Sequence, residues 1–212
     1  MPETEIWLIR HGETEWNVQH RFQGHSDSPL TASGRLQVEA VGERMRHESF
    51  DHFYSSDLLR TRETAEAIVR TTGKSFETDV RIREKHLGIF EGMTVPEIKE
   101  RYLDIYIDFK TQGARYVIPE GESTQQLQER AVAFMDEMHE RHPGARVVCV
   151  THGGTIRALM KHTLGLSLDT PTRFTIGNTS VHQLVRREQF WVVQRMSDTE
   201  HLRWLEAEDA FD

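Results

Sequence analysis

Taken as apolar and polar positions, the chain alternates between runs of strand length and stretches of helical period. "EIWLI" at 5–9 is the first apolar run. Beyond a loop containing Pro29, Thr31 is placed to cap a helix whose Leu36, Ala40, Val41 and Met45 recur on one face. "HFYSS" at 52–56 reads as a short strand, with Asp57 capping a helix that carries Leu58, Ala65, Ile68 and Val69 up to a terminating Gly73. Two capping boxes follow. Thr94 with Glu97 precedes Ile98, Tyr102, Ile105 and Phe109, and Ser123 with Gln126 precedes Leu127, Ala131, Phe134 and Met138. "RVVCVT" at 146–151 has the continuous apolar character of a strand buried on both faces, and the helix after it holds Ile156, Leu159 and Met160. "SVHQLV" and "FWVVQRM" on either side of "RREQ" predict an antiparallel hairpin.

Strands alternating with helices predict an α/β fold, a three-layer α/β/α arrangement with a mainly parallel central sheet. A length of 212 residues suits one domain over 1–212. The acidic "EAEDAFD" at 206–212 reads as a solvated tail. Lysine and arginine number 26 against 34 acids, a formal charge of -8, which argues against an extended basic surface for nucleic acid or an anionic membrane. Any anion site must therefore be local. The single Cys149 sits in an apolar run with no partner in the chain, which points to a buried, inert thiol and a reducing compartment. "MPETEIWLIR" lacks the basic-then-apolar order of a secretory leader, and nowhere do about eighteen apolar residues run together. The expectation is a cytoplasmic protein.

Two apolar runs end in the same unusual way, "WLIRHGETEWN" at 7–17 and "VVCVTHGG" at 147–154. In an open parallel sheet ligands sit beyond the carboxyl ends of the strands, which is where His11 and His152 stand. Gly12, Gly153 and Gly154 permit tight turns or the close approach of backbone N–H groups to an anion. Arg60 falls in the first turn of its helix, where side chains lean back toward the N-terminus and the same edge of the sheet. Two arginines, two histidines and helix N-termini on one crevice form an anion pocket, and a tetrahedral phosphate monoester suits it.

These residues carry a resemblance. "LIRHGETEWN", "SSDLLRTRETA", "IREKHLGIFEG", "PEGES" and "VTHGG", in that order, resemble the histidine phosphatase superfamily, which contains cofactor-dependent phosphoglycerate mutases and many small phosphatases. The resemblance implies His11 as a nucleophile that becomes phosphorylated, Arg10, Arg60 and His152 as phosphate binders, and Glu84 as proton donor. It also implies phosphate or substrate contacts at Asn17, Gln23 and Gly153, and a small helical lid excursion at about 94–120. No metal and no cofactor are implied, and the expected partner is a small-molecule phosphate monoester. A monomer and a homodimer are both compatible with it.

The chemistry is consistent without the family name. Neutral imidazole attacks phosphorus in line, with a hydrogen bond from its other nitrogen to a carbonyl fixing the tautomer. Arginines neutralise charge on the transferring group, and a carboxylic acid protonates the alcohol that leaves. Glu91 is the alternative acid in "REKHLGIFEG", and Arg62 the alternative cation to Arg60. Twelve histidines raise the rival of a metallohydrolase, but there is no His-Glu-x-x-His, and His20, His25, His47 and His52 show no coherent carboxylate pattern. His139 and His142 read as solvated. A third class is a non-catalytic phospho-ligand binding module on the same fold, and retention of nucleophile, clamp and acid together argues against it.

Between mutase and phosphatase, "RFQGHSDSPLT" and "IREKHLGIFEGMT" resemble the broad phosphatase branch, and the stretch from Glu91 to Glu120 lacks the longer insertion of mutases. The pocket wall beyond the phosphate is expected from residues around Phe22 and from 102–118. There Tyr102, Tyr106, Phe109 and Tyr116 outnumber Lys110 and Arg115, which favours weakly charged alcohol moieties, although a stripe such as Tyr102, Tyr106 and Phe109 is more often core than substrate cage, with one or two rings expected to face the pocket.

Overall fold

In the computed structural model residues 3–203 and 205 are described, and the acidic tail at 206–212 lies outside them. The described residues form a six-stranded sheet of order β3-β2-β4-β1-β5-β6. Its strands are β1 (Glu5–Arg10), β2 (His52–Ser55), β3 (Glu77–Thr78), β4 (Arg146–Thr151), β5 (Val181–Arg187) and β6 (Phe190–Asp198). The first four run parallel, with β1 beside β4 in the register Leu8 to Cys149. β5 and β6 add antiparallel as the expected hairpin.

Side-chain alternation along the central strands builds the three layers. Ile6, Leu8, Val147 and Cys149 point to one face, against Phe134, Met135, Ile156 and Leu159. Those partners come from α5 (Thr124–Arg141) and α6 (Gly153–Thr163). Trp7, Ile9, Val148 and Val150 point to the other face, against Val41, Met45, Ala65 and Ile68. These belong to α2 (Ala32–Arg46) and α3 (Leu59–Thr72). Cys149 is fully buried in this sandwich, and burial pushes its thiol pKa up, which makes it inert as a nucleophile.

Thr31, Thr94 and Ser123 cap their helices as expected, the last two as full capping boxes, and Gly73 closes α3 in the left-handed conformation at φ 70°. Other expectations need correction. Leu36 lies on the solvent side of α2, where the face that packs is Val38, Ala40, Val41 and Met45. Asp57 does not cap α3, whose N-cap is Leu58. Asp57 is instead ion-paired with Arg83, a long-range contact that local spacing cannot show. Between Asp79 and Gly92 the chain forms two short 3-10 turns, Val80–Ile82 and Gly88–Phe90.

α4 (Val95–Thr111) departs from the sheet, with a kink at Tyr102. Ile98, Tyr102, Ile105 and Phe109 do share a face, as their spacing predicts, and that face packs on Phe90 and Ile118 in an apolar cluster of its own. Phe134 plays the corresponding part in the main core, edge-on to Tyr54 and nearly fully buried. Phe134→Ala should lower unfolding free energy by about 3–5 kcal/mol, read as a drop in the urea midpoint with an unchanged slope.

Candidate active site

β1 and β4 deliver His11 and His152 side by side at their carboxyl ends, with ring centroids 5.3 Å apart. His11 is 3% exposed and its Nδ1 lies 2.7 Å from the Gly12 carbonyl. A carbonyl only accepts, so Nδ1 carries the proton and Nε2 keeps its lone pair. Burial, and then the charges of Arg60 and Arg10, hold the imidazole pKa well below the usual histidine range. His11 is a neutral base at physiological pH. Gly12 is required where it stands for packing: a Cβ there would meet Val38 Cγ1 at 2.5 Å.

Arg60, the second residue of α3, is 1% exposed. It is held by the Ser26 carbonyl and Asp27 Oδ1, both at 2.9 Å, and by the Gly24 carbonyl at 2.7 Å. Arg10 is held by the Ile176 carbonyl at 2.6 Å. In both guanidinium groups Nε is buried with no partner, and desolvation lowers both pKa values. His152 is fully buried with Nε2 2.9 Å from Ser56 Oγ. Among the described residues Nε2 is the one acceptor within reach of that hydroxyl's proton, so Ser56 donates to Nε2 and leaves the proton of His152 on Nδ1, a buried atom without a partner. Burial and the Arg60 charge keep this ring neutral as well.

Asn17 is positioned by a capping box with Thr14. It is the third residue of the short α1 (Glu15–Val18), and its Oδ1 accepts from both Thr14 N and Thr14 Oγ1 at 3.1 Å. With the oxygen so engaged, the amide NH2 is the end left for the cavity. Glu84 accepts from Lys85 N at 2.8 Å and from Gly154 N at 2.9 Å. Gly154 therefore spends its N–H on the glutamate, and a Cβ there would sit 2.1 Å from Glu84 Oε1.

Arg10, His11, Asn17, Gln23, Arg60, Glu84 and Gly153 all line one cavity of about 700 Å³, with His152 buried beside His11 rather than in its wall. The alternatives fall away. Glu91 is spent on the N–H groups of His25, Ser26 and Leu87, and Arg62 is exposed.

The outer wall matches expectation in part. Phe22 and Phe109 line the cavity, whereas Tyr102, Tyr106 and Tyr116 pack around Phe90 and face away from it. Lys110 and Arg115 are not in the wall either, but Arg21, Lys85, Arg157 and Lys161 are. A count confined to 102–118 missed cations arriving from three other segments. His139 is also not simply solvated: its Nδ1 is 2.8 Å from Thr4 Oγ1.

Two structural residues were invisible in the sequence because their work is long-range. Arg130 on α5 donates to the carbonyls of Arg81, Arg83 and Glu84 and pairs with Glu122, fixing the backbone that carries Glu84. Asn178 Nδ2 donates to the His11 carbonyl at 3.0 Å, while the Thr179 N–H donates to the Arg10 carbonyl at 3.1 Å. Thr179 holds a left-handed φ of 54°, strained for a β-branched residue.

Residues 6–199 match the family model described as histidine phosphatase superfamily (branch 1). The chain is 37% identical over 206 residues to the probable phosphoglycerate mutase GpmB of Citrobacter koseri, covering 93% of this chain and 94% of that one. Among solved structures, Bacillus stearothermophilus YhfR superposes with a TM-score of 0.84 at 33% identity, covering 94% of this chain and 100% of that one. A mycobacterial glucosyl-3-phosphoglycerate phosphatase, solved with VO3, gives 0.82 at 29% identity, covering 92% and 99%.

Two predictions follow from the buried histidines and their brace. His11, His152 and His182 have depressed pKa values in the folded chain, that of His182 lowered to about 4 by burial. The unfolded chain therefore takes up the extra protons below the ordinary histidine pKa of about 6.5, at a cost of about 1.4 kcal/mol per pH unit per histidine. Urea unfolding should show full stability above pH 7 and a steep loss between pH 6.5 and 5. Asn178→Ala should cost about 0.5–1.5 kcal/mol, the net worth of one hydrogen bond, because the His11 carbonyl keeps the Thr179 N–H at 3.3 Å. A urea midpoint equal to wild type would show that Asn178 braces nothing.

Proposed function

The chain belongs to the histidine phosphatase superfamily, and from that premise we propose that it is a metal-independent phosphomonoesterase that hydrolyses small organic phosphate monoesters through a phosphohistidine at His11. One observation supports this most. Among the described residues seven buried side-chain atoms lack a partner, and Arg10 Nε, Arg60 Nε and His152 Nδ1 are three of them, clustered around His11. Each is an N–H donor whose burial without a partner is costly, and a phosphoryl group bound at His11 would satisfy all three together.

In this reading Nε2 of His11 attacks phosphorus in line. Arg10, Arg60, the Nδ1–H of His152, the Asn17 amide and the first N–H of α6 at Gly153 bind the non-bridging oxygens. These groups are already oriented, so little reorganisation accompanies charge development. Glu84 gives its proton to the leaving alcohol oxygen. It then takes one from the water that attacks phosphohistidine, and its carboxylate is stabilised meanwhile by the Lys85 and Gly154 N–H groups. Gln23 Oε1, a buried acceptor without a partner, suits a substrate hydroxyl. In this reading the positive charge that stabilises the transferring phosphoryl group comes from Arg10 and Arg60. α4 and the turn after it act as a lid, contributing Phe109 to the cavity wall.

The name borne by the Citrobacter relative favours a second reading, a phosphoglycerate mutase. The two are separated by following 3-phosphoglycerate with and without catalytic 2,3-bisphosphoglycerate, recording inorganic phosphate and 2-phosphoglycerate together. Phosphate release should dominate. Isomerisation that is stimulated by the bisphosphate and far exceeds release would establish the mutase.

Two further outcomes are expected. Glu84→Gln should slow alkyl phosphate hydrolysis by about 100-fold or more, and p-nitrophenyl phosphate hydrolysis by less than about 10-fold, since that leaving group needs little protonic help. Equal losses would make Glu84 an orienting group. Prolonged chelation should leave turnover unchanged, and loss restored by zinc or magnesium would favour metal-assisted hydrolysis.

A further inference from the structure

The turn at 176–180, which leads into β5, meets three site residues from behind. The Ile176 carbonyl accepts from the Arg10 guanidinium at 2.6 Å. Asn178 Nδ2 lies 3.0 Å from the His11 carbonyl and 3.4 Å from Asn17 Oδ1. The Thr179 N–H is shared between the carbonyls of Arg10 at 3.1 Å and His11 at 3.3 Å, and the Ser180 carbonyl accepts from Arg10 N at 3.2 Å. A displacement of this turn therefore displaces the strand end that carries His11.

A left-handed φ at β-branched Thr179 persists only where its surroundings enforce it, and two histidines do so from outside the cavity. His182, fully buried on β5, accepts the Ser197 N–H on Nδ1 at 3.2 Å, so its Nε2 carries the proton and faces Ser180 Oγ at 3.0 Å. His201, in the 3-10 turn Glu200–Leu202, repeats the arrangement on the neighbouring residue. Its Nδ1 is 3.3 Å from Arg44 Nη1, a group that only donates, so Nδ1 accepts and the proton sits on Nε2, 3.2 Å from Thr179 Oγ1. Arg44 is itself fixed by Asp198 at 2.8 Å, and Asp198 also takes Arg195 at 2.7 Å. Burial, and then the Arg44 charge, lower the His201 pKa to about 4, so the ring keeps this one tautomer across the neutral range.

We infer that His201 is a positioning residue for His11, acting through Thr179: its Nε2–H pins the strained turn that sets the carbonyls of Arg10 and His11. The inference rests on the reading of His11 as the attacking group. His201 is not in the cavity wall, so it offers a substrate no contact of its own. Its influence is on direction. The His11 ring is bonded through Nδ1 to the Gly12 carbonyl at 2.7 Å, so the aim of Nε2 follows the backbone at 11–12. In-line attack tolerates little error, since a misplacement of about 1 Å costs about 100-fold in rate. Phosphate affinity is less exposed to the turn, because Arg60 is held from the other side by Gly24, Ser26 and Asp27. Loss of the pin should therefore slow attack while leaving phosphate binding nearly intact.

Two pairs of substitutions in the full chain test it, with p-nitrophenyl phosphate as substrate and inorganic phosphate as inhibitor. His201→Ala removes the donor, whereas His201→Gln can accept from Arg44 with Oε1 and donate to Thr179 with Nε2. Thr179→Val removes the acceptor, whereas Thr179→Ser keeps it. His201→Ala and Thr179→Val should each lower kcat/KM by about 10- to 100-fold, with the phosphate inhibition constant within about threefold of wild type, and the Gln and Ser variants should stay within about threefold on both. Combining His201→Ala with Thr179→Val should cost no more than about threefold beyond the worse single change, because both break one bond. Proton–nitrogen NMR of the imidazoles reads the same linkage without turnover: the His11 Nδ1 resonance should move in the Ala and Val variants and return toward its wild-type position in Gln and Ser. If His201→Ala fails to fold, the Thr179 pair decides by the same criteria. Wild-type kcat/KM in Ala or Val, equal losses in Gln and Ser, additive losses in the double variant, or an unmoved His11 resonance overturns the inference. If wild type releases no phosphate, the esterase reading falls, and the His11 resonance alone decides for or against the positioning role.

Discussion

The 2.7 Å hydrogen bond from His11 Nδ1 to the Gly12 carbonyl decides which nitrogen of a buried imidazole faces the cavity, and the rest of the site is arranged around that choice. Gly12 itself lies against α2 too closely for a side chain, and its N–H is donated to Thr64 Oγ1 at 3.0 Å. Thr64 in turn donates to the carbonyl of Arg60. The strand end that carries His11, the proposed nucleophile, is thus tied to Arg60 through α3. From the opposite side, Asn178 and Thr179 close on the carbonyls of His11 and Arg10. The strand end is clamped front and back, and this is how a residue at a sheet edge acquires a fixed direction of attack.

The electrostatics follow from the same burial. Two guanidinium groups beside two imidazoles, nearly all of it out of water, keep both rings unprotonated, and each positive charge lowers the proton affinity of its neighbours. A site so constituted is costly to fold and receptive to an anion. The cost is offset by Asp27 and by the carbonyls of Gly24, Ser26 and Ile176, which hold the guanidinium groups while leaving each Nε–H uncommitted. Strain at Thr179 and unpartnered donors at Arg10, Arg60 and His152 are departures from the economy of an ordinary core, and they fall together at the chemistry.

What was legible in the sequence was whatever is encoded locally. The capping boxes at Thr94 and Ser123, the alternating apolar runs and the two His-Gly strand ends specify the α/β layers and place His11, His152, Arg10 and Arg60 at one edge. Asn17, Gln23, Glu84 and Gly153 came from the ordered motifs, and the fold brings them to that cavity. Contacts between distant segments were not legible. Asp57 has the residue type of a helix cap, yet its partner is Arg83 across a loop. Tyr102 and Tyr106 share a helix face with Phe109, and the packing around Phe90 decides which of the three rings joins the lid's own apolar cluster and which reaches the cavity. Lys85 is adjacent to Glu84, and Arg157 to a helical apolar face, so neither stood out until the cavity joined them.

The central claim is that His11 Nε2 forms a bond to phosphorus. It is tested most directly by quenching wild-type protein in alkali during turnover of a phosphate monoester and mapping the acid-labile, base-stable phosphoryl adduct by peptide mass analysis. The account predicts an adduct on the peptide containing His11, lost on acidification, and absent together with turnover from a folded His11→Ala variant. Turnover in His11→Ala at the wild-type rate, or an adduct confined to another residue, would contradict it.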